Sequence, residues 1–233
     1  MLLMKTLGIV GGIGPESTVD YYRSLIQMWR EQTKDGSAPS ILLNSIDLKK
    51  MLDLIAANEF SDVTAYLSGE MERLIRAGAD VGLLAANTPH IVFDELQRRS
   101  SIPLISIVEA TREAAEELGL RRLGLFGTRF TMQGRFYPDV FSKAGIALVV
   151  PEEDEQAYVH DVYMNELVKG VFLPETRQRL LAIVDRLAKQ EHVQGLILAG
   201  TELPLILREA TCGISFLDTT QIHVKAALRR LLH

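Results

Sequence analysis

The sequence predicts an α/β protein of two pseudo-symmetric domains, each a parallel-sheet α/β sandwich, with a ligand cleft between them. Three observations lead there. Short apolar stretches alternate with helix-spaced ones along the chain. Several of the strand-like stretches are apolar at every residue, as in parallel sheets covered on both faces. The order of these stretches then recurs once.

Leu7-Gly8-Ile9-Val10 is an apolar run closed by Gly11-Gly12, and Pro15-Glu16-Ser17-Thr18 opens a helical pattern carried by Val19, Tyr22, Leu25 and Ile26. Ile41 to Asn44 reads as a strand, Met71 to Ala77 as a helix and Val81 to Ala85 as a buried strand. Next come a strand over Ile102 to Ile107, a helix over Glu109 to Leu118, and strands over Leu123 to Phe126 and Ala147 to Val150. A long helical region from Asp154 to Gln190, a strand from Gly195 to Ala199 and a last helix from Ile222 to Leu232 complete the series.

Leu7-Gly8-Ile9-Val10-Gly11 returns as Leu123-Gly124-Leu125-Phe126-Gly127, each followed by a turn and a helix with a tyrosine, Tyr21 or Tyr137. Val81 to Thr88 returns as Gln194 to Thr201, and Ile105 to Thr111 as Ile214 to Thr220. Three matches in one order indicate duplication. Residues 1–106 with 211–233 are expected to form one domain and residues 107–210 the other.

Composition narrows the function. With 47% hydrophobic and 24% charged residues the chain is far from the composition of disordered proteins. A net charge of -5 supplies no basic stripe for a phosphate backbone, so nucleic acid is excluded as the expected partner. The single cysteine, Cys212, cannot form an intramolecular disulfide and reads as a packing residue. Met-Leu-Leu-Met-Lys at the start is too short for a signal sequence, which points to the cytoplasm. No apolar run approaches the ~20 residues needed to span a bilayer, so no membrane partner is expected.

Parallel sheets bind ligands at the carboxyl ends of their strands. Here those ends are Gly11 to Thr18, Ala86 to His90, Gly127 to Thr131 and Gly200 to Pro204, all supplied with Gly, Thr, Ser or Asn. Backbone N–H groups and hydroxyls at helix starts suit a carboxylate. Gly11-Gly12-Ile13-Gly14 lacks the spacing of a dinucleotide turn, and no Walker lysine follows. Pro15, Ser17 and Thr18 serve equally as a helix start or as ligand contacts. His90 is placed to shuttle a proton or to cap its turn, and Glu202 to act as a base or to complement a helix dipole. Lys169-Gly170 reads as a helix end. His160, His192, His223 and His233 show no ligand spacing, so no metal is expected.

Met4 to Tyr21, with its Gly11-Gly12-Ile13-Gly14-Pro15 turn, resembles the amino end of the cofactor-independent aspartate/glutamate racemases. Asn87-Thr88-Pro89-His90 and Gly200-Thr201-Glu202 resemble the two catalytic-loop motifs of that family, and Glu152-Glu153-Asp154-Glu155-Gln156 a further segment. The resemblance runs nearly end to end and is strongest to the aspartate-racemase branch. It implies an interdomain site for an amino acid or small dicarboxylate, no cofactor and a homodimer. It also implies catalytic roles around Thr88, His90, Thr201 and Glu202, with ligand contacts from Gly12, Asn87, Thr88, Thr128, Thr131, Lys169 and Thr201. Members of the family carry a cysteine before each motif, and those positions here are Ala86 and Gly200. One thiolate takes the α-proton while a thiol on the other face returns it. Without either, two expectations stand: an isomerase using non-thiol groups, or a binding protein that kept the pocket.

Overall fold

A computed structural model describes residues 5–207 and 213–232, so the expectation for Cys212 lies outside the described residues. The chain divides into two compact units, one running to Ile107 and resuming at His223, the other spanning Val108–Ile222.

The first unit contains β1 (Thr6–Gly11), α1 (Pro15–Thr33), β2 (Ser40–Ser45), α2 (Leu48–Ala56), α3 (Phe60–Arg76), β3 (Val81–Leu84), α4 (Phe93–Arg99) and β4 (Leu104–Ile105). Its strands form one parallel sheet in the order β2-β1-β3-β4. The central strands are the ones apolar throughout: Leu7, Ile9, Val81 and Leu83 pack with Tyr21, Leu25 and Trp29 of α1. α2 was not foreseen; Asp47 caps it by accepting the Lys50 N–H at 3.3 Å.

The second unit contains α5 (Ile107–Glu117), which starts at the unit boundary, then β5 (Arg122–Gly127), α6 (Arg129–Gln133), α7 (Phe136–Phe141) and β6 (Ala147–Val149). It continues with α8 (Glu153–Asn165), α9 (Pro174–Gln190), β7 (Gly195–Ala199), α10 (Leu203–Leu207) and β8 (Ser215–Asp218). Its sheet, also parallel, has the order β6-β5-β7-β8, the same permutation as the first. The core is built from Phe126, Leu196 and Leu198 of the sheet against Val159 and Val162 of α8 and Leu180, Val184 and Leu187 of α9.

Four expectations change. The helical stretch from Asp154 to Gln190 is two helices, because a left-handed Gly170 (φ 74°) ends a short 3-10 turn and Pro174, without an N–H, can only start the next helix. The strand expected over Ile102 to Ile107 shortens to Leu104–Ile105, since Pro103 precedes it and α5 begins at Ile107. The return to the first unit, expected at 211, comes at 223: β8 pairs with β7, and α11 (Thr219–Leu232) crosses back. There Val224, Ala227, Leu228 and Leu231 of α11 join the core around β1 and β3.

The fourth change is the register of the repeat. Gly8 stands beside Gly82, but Gly124 stands beside Leu196, so Gly82 corresponds to Leu196 rather than Gly195. Leu83 stands beside Ile105 and Ile197 beside Leu217, so Ile105 corresponds to Leu217 rather than Ile214. Matching glycine to glycine misplaced the second copy by one residue in β7, and matching isoleucine to isoleucine by three in β8. Correct register places Ala86 opposite Gly200 in the duplication, Asn87 opposite Thr201 and Thr88 opposite Glu202.

Candidate functional site

In the first unit the turn after β1 is closed on itself. Gly12 donates its N–H to Thr18 Oγ1 at 2.8 Å, Thr18 donates to Gly14 O at 3.1 Å, and Ser17 Oγ donates to Ala85 O at 3.2 Å. Pro15 is the first residue of α1, as a helix start should be. Gly12 has φ +78°, and a Cβ there would lie 2.5 Å from Ser45 Oγ and 2.6 Å from Ile46 O. Gly12→Ala is therefore expected to lower unfolding free energy by at least ~2 kcal/mol, from left-handed strain plus the clash. Urea denaturation with an unchanged midpoint would contradict that packing.

After β3, Ala86, Asn87 and Thr88 are all buried, and Thr88 opens a 3-10 turn ending at Val92. His90, 3% exposed, donates from Nδ1 to Ala86 O at 3.0 Å and accepts the Ile107 N–H on Nε2 at 3.1 Å. Its ring stacks on Phe93 with centroids 4.9 Å apart. Both nitrogens are thus occupied by backbone, and burial, with the nearby His223 adding to it, pushes the pKa down to about 3. Of the two roles open to His90, the geometry matches the cap. His223 is the other brace: it accepts the Tyr21 hydroxyl on Nδ1 at 2.9 Å, donates from Nε2 to Ile105 O at 2.9 Å, and burial lowers its pKa to about 4. The partners dictate neutral rings of opposite tautomer.

In the second unit Thr128 caps α6, accepting the Thr131 N–H at 3.3 Å, and the two hydroxyls lie 3.2 Å apart. Past β7, Thr201 and Glu202 are 5% and 1% exposed. Tyr163 of α8 donates its hydroxyl to Glu202 Oε2, and Thr201 Oγ1 donates to the same oxygen at 2.8 Å. Burial, then the Glu202 charge, raises the Tyr163 pKa well above that of an ordinary phenol, so Tyr163 remains a donor. A Cβ on Gly200 would meet Tyr163 Cε2 at 2.5 Å and Cζ at 3.0 Å. The ring fills the space a side chain at 200 would need.

One turn before Tyr163, His160 Nδ1 accepts the Arg129 N–H at 3.2 Å, tying α8 to the Thr128–Thr131 turn. Burial, then Arg129, lowers its pKa. Lys169 is exposed at the end of its 3-10 turn and pairs with no acidic group among the described residues. The structure therefore gathers Gly12, Ala86, Asn87, Thr88 and His90 at the strand ends of the first unit. Thr128, Thr131, Gly200, Thr201 and Glu202 gather at those of the second. Tyr21, Tyr163, His160 and His223 were not foreseen in these roles, because their partners lie on other elements far along the chain. Among the described residues no cluster of His, Cys, Asp or Glu could hold a metal ion, and no helix is long and apolar enough to cross a membrane.

A sequence profile of Asp/Glu/Hydantoin racemases matches residues 10–227. The chain belongs to the Asp/Glu/Hydantoin racemase family. Within it, the chain is similar to the broad specificity amino-acid racemase RacX of Bacillus subtilis, 25% identical over 232 residues covering 97% of this chain and 98% of the relative. A crystal structure from Yersinia pestis, described as a candidate Asp/Glu racemase, superposes with TM-score 0.90 at 31% identity, covering 99% of this chain and 100% of that one. An aspartate racemase homologue from Pyrococcus horikoshii superposes with TM-score 0.86 at 30% identity over the same shares. As a member of the racemase family, the chain has the fold that its two four-stranded parallel sheets display.

Proposed function

We propose that this racemase-family protein binds an amino acid or small dicarboxylate, without a cofactor, at the strand ends of both units, and that its chemistry is not a two-thiol proton exchange. One observation carries this reading: the register of the duplication sets Ala86 and Gly200 at equivalent positions beside Asn87-Thr88 and Thr201-Glu202. A racemase needs one proton-transfer group on each face of the α-carbon. A methyl and a hydrogen provide neither, while the polar residues that would hold a carboxylate are kept. Thr88, Thr201 and Glu202, with Asn87, Gly12, Thr128, Thr131 and Lys169, form the proposed ligand set. A homodimer in the cytoplasm belongs to the same proposal. A binding protein without turnover is a second reading, favoured by the Tyr163 ring lying against Gly200.

The test is NMR-detected exchange at Cα of L- and D-aspartate and glutamate in heavy water, beside equilibrium titration of the same compounds. Expected are measurable binding and little or no exchange. Thr88→Val should weaken binding about tenfold or more, the value of a charge-assisted hydrogen bond, and Thr201→Val, which removes a donor to Glu202 Oε2, should weaken it as well. Rapid exchange abolished by Glu202→Gln would establish a non-thiol isomerase instead. Unchanged affinity in both threonine variants would remove the site.

A further inference from the structure

The second unit contains a cavity of about 500 Å³ whose lining residues include none of the ligand set proposed above. Its walls are residues 172–174, which lead into α9, and residues 204–206 of α10, with Arg177 from the first turn of α9. The size is that of a small-molecule site. Bonds within the unit hold the walls in place. Past the left-handed Gly170, Val171 returns its N–H to Glu166 O at 3.0 Å, and Thr176 Oγ1 donates to Glu166 Oε2 at 2.6 Å. Arg177 Nε donates to Ile206 O at 3.0 Å, which joins α9 to α10.

Two features of this cavity lack a counterpart. Phe172 and Leu205 are 41% and 45% exposed, large apolar side chains that the chain itself leaves uncovered. A guanidinium carries five N–H groups, and among the described residues only the Nε of Arg177 has an acceptor. No carboxylate pairs with it: Glu166 is engaged by Thr176, and Glu175, its neighbour on α9, does not line the cavity. The walls apart from Arg177 are apolar throughout. One oriented cation without a counter-charge, set in an apolar lining, is complementary to an anion that carries an apolar body, and the guanidinium fork fits a carboxylate in particular.

We propose that this cavity is a second ligand site, for a small monocarboxylate with an apolar body, in which Arg177 holds the carboxylate while Phe172 and Leu205 cover the apolar part. The site goes beyond the strand-end reading and does not depend on it.

Isothermal titration of the full chain with 3-phenylpropionate, beside 3-phenylpropionamide and propionate, tests the charge and the apolar body separately. Expected is binding of the aromatic acid at least about tenfold tighter than either control, the first ratio from a charge-assisted hydrogen bond and the second from burial of the ring. Arg177→Gln should bring the acid down to the affinity of the amide. Phe172→Ser and Leu205→Ser, both at exposed positions, should each weaken the acid about threefold or more and leave thermal unfolding unchanged. Amide NMR shifts on adding the acid should fall on residues 172–177 and 204–206. Equal affinity for acid and amide, or for acid and propionate, would overturn the proposal, as would an unaltered protein that binds none of the three. Shifts confined to residues 86–88 and 128–131 would place the probe at the strand ends and overturn it as well. A dimer in sedimentation velocity that Leu205→Ser dissociates would give the surface to a second copy of the chain instead. Failure of aspartate and glutamate to bind leaves this site standing, because they are not its ligands.

Discussion

Lowering the pH from 7.5 to 5 is expected to cost the protein about 4 kcal/mol of unfolding free energy, about 2 from each of two buried histidines. His90 and His223 are neutral in the folded state, with pKa values near 3 and 4, against 6.5 in an unfolded chain. Below 6.5 the unfolded chain takes up protons that the folded protein refuses. The stabilisation is complete above that value and is lost as the pH falls towards 4. Each ring contributes a slope of about 1.4 kcal/mol per pH unit in that window. Charging His90 would turn its accepting Nε2 into a second donor facing the Ile107 N–H, and charging His223 would do the same opposite the Tyr21 hydroxyl. Urea denaturation at half-unit pH steps measures the slope. His90→Gln or His223→Gln should each halve it while lowering stability at pH 7.5. A midpoint that is flat between pH 7 and 5 would mean that the rings are solvated.

Replacing Gly200 by cysteine, the residue the family resemblance places there, is expected to destabilise the protein and not to restore proton exchange. The new Cβ would sit 2.5 Å from the ring of Tyr163, a residue 8% exposed and anchored through its hydroxyl to Glu202. Overpacking of this kind costs about 1–3 kcal/mol, or roughly 2–10 °C in a chain of this size. Gly200→Ala should show most of the loss, because the first carbon makes the clash. Ala86→Cys already has its Cβ in place and should be nearly neutral. Tyr163→Phe should bring no relief, since Cε2 and Cζ remain. Tyr163→Leu with Gly200→Ala should cost less than the two changes summed, a coupling of the sign expected for neighbours that share space. Independent effects in that cycle would show that the ring is not what excludes a side chain at 200.

What could be read from the chain was whatever repeats locally. Leu7 to Val10, Val81 to Leu84, Leu123 to Phe126 and Gly195 to Ala199 are apolar at nearly every residue because both sheet faces are covered, and all four are strands. The duplication was legible for the same reason. Its register was not, because strand pairing is a long-range property and a chance Gly82–Gly195 match outweighed it. The candidate loops were visible as polar residues after apolar strands. Their wiring was not: Tyr163 lies 39 residues from Glu202 and Tyr21 lies 202 from His223. No local pattern marks a side chain whose partner is supplied by another element.

The crossing of α11 bears on the order in which the protein can be completed during synthesis. Leu7 and Ile9 are made before the rest of their core, and Val224, Ala227, Leu228 and Leu231, which pack with them, emerge more than two hundred residues later. The second unit's sheet, by contrast, is continuous from Arg122 to Asp218 and can pair its strands as they leave the ribosome. Domains usually mature in the order of translation. Here the unit begun first is the unit finished last, and until α11 is made the β1–β3 core lacks the apolar residues that α11 contributes to it.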